Sequence, residues 1–189
     1  MNSKLKTSLC DELGIEYPIL LAGMGMRGRA TPPELVAAVS NAGGMGFLGC
    51  SWLEGEEIRR RIRRMRELTD KTFGVNLLLP VNMDAESTPD REEMRARIRR
   101  DYPNHVRFLD ELHKTHGLTP VKAHGQAMSP NFIRDQVAAF IEEGVDAFAA
   151  GLGDPSWVVP QAHAAGIKVF GLAGTVRNAE RQKAAGVDY

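Results

Sequence analysis

Three phrases in the second half of the chain share one design: EEGVDAF at 142–148, AAGIKVF at 164–170 and AAGVDY at 184–189. In each, a helix-forming stretch stops at a glycine and an apolar β-branched residue follows at once. A chain built this way alternates helices with short buried strands. Strands joined by helical crossovers run parallel, so the pattern points to an α/β fold with a parallel sheet.

The first half obeys the same rhythm. Tyr17 to Ala22 is a continuous apolar run, expected as a strand buried on both faces. Thr31-Pro32-Pro33-Glu34 predicts a helix start, with Thr31 as cap, Pro32 in first position and Glu34 closing a capping box. Leu35, Val39 and Ala42 would form its inner face, and Gly43-Gly44 its end. Met45 to Leu48 reads as a second strand, Glu56 to Leu68 as a helix with Ile58, Ile62 and Met65 inward, and Phe73 to Leu79 as a third strand. From Val81 to Pro130 the rhythm breaks into a polar stretch, Asn82 to Asp90, and two charged helices, Arg91 to Arg100 and His105 to His116. Val121 to His124 is a candidate short strand. Beyond it, a helix at Phe132 to Glu143, a strand at Val145 to Ala150, a helix from Asp154 to Gly166, a strand at Ile167 to Leu172 and a helix at Thr175 to Ala185 are expected. Val187-Asp188-Tyr189 would open a further strand.

Composition removes several function classes. The 189 residues carry 24 basic and 24 acidic side chains, so no net field attracts nucleic acid or an anionic membrane. The arginine runs at 59–64 and 95–100 are interleaved with glutamates four residues earlier, as for Glu57 and Arg61, and read as solvated helix faces. No apolar run is long enough to span a bilayer, and no signal peptide is expected at the N-terminus. Two cysteines, Cys10 and Cys50, without C-x-x-C spacing suit a reducing cytoplasm and give no metal framework. His113 and His116 stand in the last turn of a helix, where imidazolium complements the dipole, and are not taken as metal ligands. His163 reads as a surface residue and Trp157 as a packing residue. His124, after a candidate strand, is the one histidine read as a candidate to face the cavity. Met24, Met26 and Met45 fill the core or border a ring.

Gly23, Gly25 and Gly28 spell G-x-G-x-x-G after the first strand. A dinucleotide-binding turn needs its helix to open inside that motif and an acidic residue at the end of the second strand. Here the capping signals come after the third glycine, and the second strand ends Phe47-Leu48-Gly49-Cys50-Ser51. Both conditions fail. In a (β/α)8 barrel, ligands lie where strand ends meet their following loops. Small residues there let a planar ring rest on main chain, and Ala22-Gly23-Met24 is suited to that, its amides facing a flavin edge. A plain flexible loop is the competing reading.

The segments YPILLAGMGM, ELVAAVSNAGGMGFLG, LTDKTFGVNLLLP and AAGIKVFGLAGTVRNAERQKAAGVDY together resemble the nitronate monooxygenase family, formerly 2-nitropropane dioxygenases. The resemblance implies a TIM (β/α)8 barrel binding FMN at the C-terminal strand ends. It implies oxidation of alkyl nitronates with molecular oxygen, without a metal. It places the main chain of Ala22, Gly23 and Met24 against the flavin and gives Asn76, taken to end the third strand, a hydrogen bond to the cofactor. The family's Gln and Gly-Gly-His motif, with its catalytic histidine, would follow Tyr189. The chain is therefore expected to be residues 1–189 of one barrel, five to six of its eight units, elaborated at about 81–130 and inactive alone. A flavin-dependent enoyl-acyl-carrier-protein reductase, sharing the F-G-V-N phrase, is the nearest alternative. A non-catalytic half-barrel completed by a partner or by homo-oligomerisation is another.

Overall fold

The computed structural model describes residues 5–80, 90–119 and 128–189. The chain forms two compact units, Met1–Asn82 with Ile133–Tyr189, and Met83–Phe132. In chain order the elements are α1 (Ser8–Leu13), β1 (Leu20–Leu21), α2 (Pro33–Asn41), β2 (Met45–Gly49), α3 (Gly55–Leu68), β3 (Phe73–Leu79), α4 (Arg91–Asp101), α5 (Pro103–Thr115), α6 (Pro130–Glu143), β4 (Ala147–Gly153), α7 (Val159–Ala164), β5 (Lys168–Gly171) and α8 (Val176–Ala184).

The first unit holds one sheet, with strands in the order β1-β2-β3-β4-β5 and every neighbour parallel. Sequential order without reversal is the arrangement of a β/α barrel; a doubly wound sheet reverses at a switch point. Gly49, Asn76, Ala149 and Phe170 stand in one row across four strands. Alternation along each strand then separates two faces. On one, Phe148 stacks on Phe140 of α6 at 4.7 Å. On the other, Met45, Phe47 and Ala147 pack with Cys10, Leu13 and Ile15 at the base of the strands. Phe47 meets Phe170 edge-on at 5.4 Å, and Phe170 stacks on Tyr189 at 4.7 Å. The main chain of Asp188 and Tyr189 already bonds to Val169 and Gly171 of β5.

Several expectations need correction. The first strand is two residues long, because Pro18 has no N–H to give and the Ile19 amide turns back to the Tyr17 carbonyl. The predicted capping box is absent. Pro33 forces the preceding Pro32 into extended backbone (φ −67°, ψ 160°), so the helix starts one residue late and Pro32 becomes its cap. The inner face of α2 is accordingly Val36, Ala37 and Ser40, not Leu35, Val39 and Ala42. Ser40 is satisfied there, its Oγ donating to the Thr72 carbonyl and accepting from the Gly46 amide. The helix expected from Asp154 is regular only from Val159, since Asp154 accepts from the Ser156 amide and shapes a turn.

The arginines of α3 face carboxylates both on neighbouring helices and along their own. Arg59 pairs with Glu142 and Arg63 with Glu143, both on α6, and Arg64 with Glu34 on α2. Arg66 donates to the carbonyls of Glu143 and Gly144. Within α3, Glu57 receives both Arg60 and Arg61. Arg60 chiefly, against the opposing effect of burial and with help from Arg61, brings the Glu57 carboxyl down to about 2.

In the second unit, Asp90 caps α4 through a bond from the Glu92 amide, and α5 follows after Pro103. His124, the candidate strand at Val121 to His124 and most of the polar stretch before Asp90 lie outside the described residues. Among the described residues, no helix is long and apolar enough to cross a membrane.

Candidate functional site

The residues expected to bear a cofactor gather where β1, β2 and β3 point their C-terminal ends. Ala22 is exposed, Gly23 half-buried and the Met24 side chain 48% exposed. A Cβ on Gly23 would lie 2.7 Å from Asn76 Cβ and 2.9 Å from Gly49 Cα. No side chain fits there without displacing main chain, so Gly23 is what brings this strand tip against Asn76. The tip of β1 is thus bare backbone closely packed on Asn76 and Gly49 at the C-terminal ends of the strands.

Asn76 is the fourth of seven residues in β3 rather than its last. It nevertheless stands level with Gly49, which ends β2, because β3 runs on further. Its Nδ2 donates to the Ala149 carbonyl at 2.9 Å. That bond fixes the amide plane and leaves Oδ1 as the end not used by it.

Met24 is a second correction. Its N–H is not held out to a ligand: it donates to Thr31 Oγ1 at 3.0 Å. Thr31 in turn donates to the Met24 carbonyl at 3.2 Å and accepts from the Gly49 amide at 3.3 Å. Sequence reasoning missed this use of Thr31; the Pro-Pro pair after it was the available signal.

The three glycines have structural duties at the same place. Gly28 has φ +63° and is packed on the Gly49 carbonyl and Arg61 Nη1, so it turns the loop back over the end of β2. Arg61 Nη1 is buried there without a partner among the described residues. The following loop is held from α6: Gln136, fully buried, donates to the carbonyls of Cys50 at 3.3 Å and Leu53 at 2.7 Å, and Asp135 accepts from the Gly55 amide at 3.0 Å. A glutamine on an apolar helix face was the legible sign. Burial pushes the Cys50 thiol up to about 12, so it stays a protonated, unreactive packing group. The non-glycine residues with positive φ, Arg27, Trp52 and Leu152, all lie at this end of the sheet. His163 bonds Asp188 at 3.0 Å on the outside, away from these strand ends. Among the described residues, no group of three or more His, Cys, Asp or Glu is placed to hold a metal.

Parallel strands in sequential order, joined by helical crossovers, define an incomplete TIM (β/α)8 barrel. The chain belongs to the nitronate monooxygenase family, whose model matches residues 6–189. It is 33% identical over 187 residues to a Staphylococcus saprophyticus protein described as "Probable nitronate monooxygenase", covering 98% of this chain and 48% of that one. A Staphylococcus aureus protein of the same description is 31% identical over 183 residues, covering 97% and 47%. The chain thus spans about half the length of the curated relatives it matches. Among solved structures, FabK from Thermotoga maritima is similar with TM-score 0.67 and 28% identity, covering 98% of this chain and 43% of that one. Nitroalkane oxidase from Streptomyces ansochromogenes shares the fold, with TM-score 0.68 and 24% identity, covering 96% and 47%.

Proposed function

We propose that the protein carrying this chain is an FMN-dependent oxidoreductase that oxidises alkyl nitronates with molecular oxygen. Family membership supports the reaction class. The observation that carries the cofactor reading is the contact of Gly23 with Asn76 and Gly49, which keeps side chains off the strand mouth. A bound flavin would supply electron transfer to oxygen. Ala22 and Gly23 would present the flat main chain on which a ring rests, with Met24 Sδ and its methylenes excluding water at one margin. Asn76, its plane fixed by Ala149, would accept a hydrogen bond through Oδ1. No proton transfer is assigned to the described residues. Two free, buried cysteines support a cytoplasmic setting.

The test uses the full-length protein. It should purify with a flavin absorbance and consume oxygen on addition of an alkyl nitronate, with no nicotinamide added. Asn76→Ala should weaken FMN binding by about tenfold, the worth of one hydrogen bond to a fixed partner. Retention of FMN equal to the parent through dialysis would remove Asn76 from the site. Reduction of an enoyl thioester with NAD(P)H, and no nitronate turnover, would move the assignment to the enoyl reductase reading.

A further inference from the structure

Resting on the flavin reading above, we infer that Thr31 is a positioning residue for the cofactor-bearing main chain. Thr31 is completely buried. Its one hydroxyl serves three main-chain groups: it accepts from the amides of Met24 and Gly49 and donates to the Met24 carbonyl. That uses its single proton and both lone pairs.

The Gly49 bond has a consequence for β1. An uninterrupted parallel ladder would give the Gly49 amide to the continuation of β1. Thr31 takes that amide instead, and β1 pairing with β2 stops at Leu21 and Gly46. Ala22 to Met24 is thereby released from the ladder but still pinned to the end of β2 through Thr31. The outcome is a short length of backbone that is neither sheet nor free loop, held against Asn76. Gly28 and the two prolines place the hydroxyl: the Thr31 amide donates to the Gly28 carbonyl, and Pro33 holds Pro32 extended so that Thr31 cannot turn to the helix.

Thr31→Val keeps the volume and removes the hydroxyl; Thr31→Ser keeps the hydroxyl and removes the methyl. In the full-length protein, Thr31→Val should raise the FMN dissociation constant by about tenfold. The bound flavin's visible spectrum should move toward that of free FMN. Amide exchange at Met24 and Gly49 should speed up by about tenfold, while distant strands keep their protection. Thr31→Ser should restore binding to within about threefold of the parent. FMN affinity of Thr31→Val within about twofold of the parent overturns the inference. So does a Thr31→Ser variant as weak as Thr31→Val, which would assign the effect to packing. If the parent binds no FMN, the functional reading fails; unchanged exchange at Met24 and Gly49 in Thr31→Val would then sink the staple separately.

Discussion

The two ends of the same five strands are built on opposite plans. At the base, Cys10 and Leu13 of α1 and Ile15 just after it close the inner face against Met45, Phe47 and Ala147. Side chains interlock there and the backbone is ordinary. At the mouth, backbone approaches backbone, and Arg27, Trp52 and Leu152 take positive φ. The mouth is held by polar groups reaching in from behind: Thr31 on Met24 and Gly49, Gln136 and Asp135 on the loop after β2. One end spends sequence on burial, the other on holding a shape that burial alone would not produce.

Substitutions should separate these plans. Leu13→Ala, at the base, should lower unfolding stability by ~2–4 kcal/mol in urea titration, with FMN affinity of the folded protein within about twofold of the parent. A matching loss of affinity would mean the ends are not independent. Gly23→Ala, at the mouth, should cost ~1–3 kcal/mol and raise the FMN dissociation constant by at least about tenfold, since the new Cβ must displace Asn76 or Gly49. Unchanged affinity would show that the strand tip tolerates a side chain and does not touch the ring. The smallest effect concerns Glu57, which anchors Arg61 behind the Gly28 turn. Its folded value is depressed from 4.5 to about 2. Its contribution is therefore present above its unfolded value and lost as pH falls through about 2. The stability difference between parent and Glu57→Gln should shrink over that window, by no more than about 1 kcal/mol because the pair is partly solvated. A difference that stays flat from pH 6 to 2 would remove Glu57 from the support of the mouth.

What was legible in the sequence follows the same division. Ile58, Ile62 and Met65 on α3, and Ile133, Val137 and Phe140 on α6, could be read from periodicity because burial imposes it. The ends of α2, α6, α7 and α8 were readable from the glycines that follow them, each in left-handed backbone. Thr31 was misread because its partners are seven and eighteen residues away, whereas a capping box is local. The third strand was legible at its full length, Phe73 to Leu79, but Asn76 stands at its middle, and its being level with the end of β2 is set by the register of the two strands. The pairing of Glu57 with Arg61 along α3 was legible, but Arg59 and Arg63 also reach carboxylates more than 70 residues on. Gly23 was readable from its place after the first strand and Asn76 only through family resemblance; their contact is a tertiary fact.

The pairing of β3 with β4 joins Asn76 to Ala149 across 73 residues, whereas Gly49 of β2 is only 27 residues from Asn76. Closing the longer loop costs about 1 kcal/mol more chain entropy than closing the shorter. The intervening unit, Met83–Phe132, therefore levies little on the final stability but delays one ladder relative to the others. Sequence separation therefore favours closure of the β2–β3 ladder over that of β3–β4, and leaves the Asn76 amide's partner on β4 the more distant contact to form.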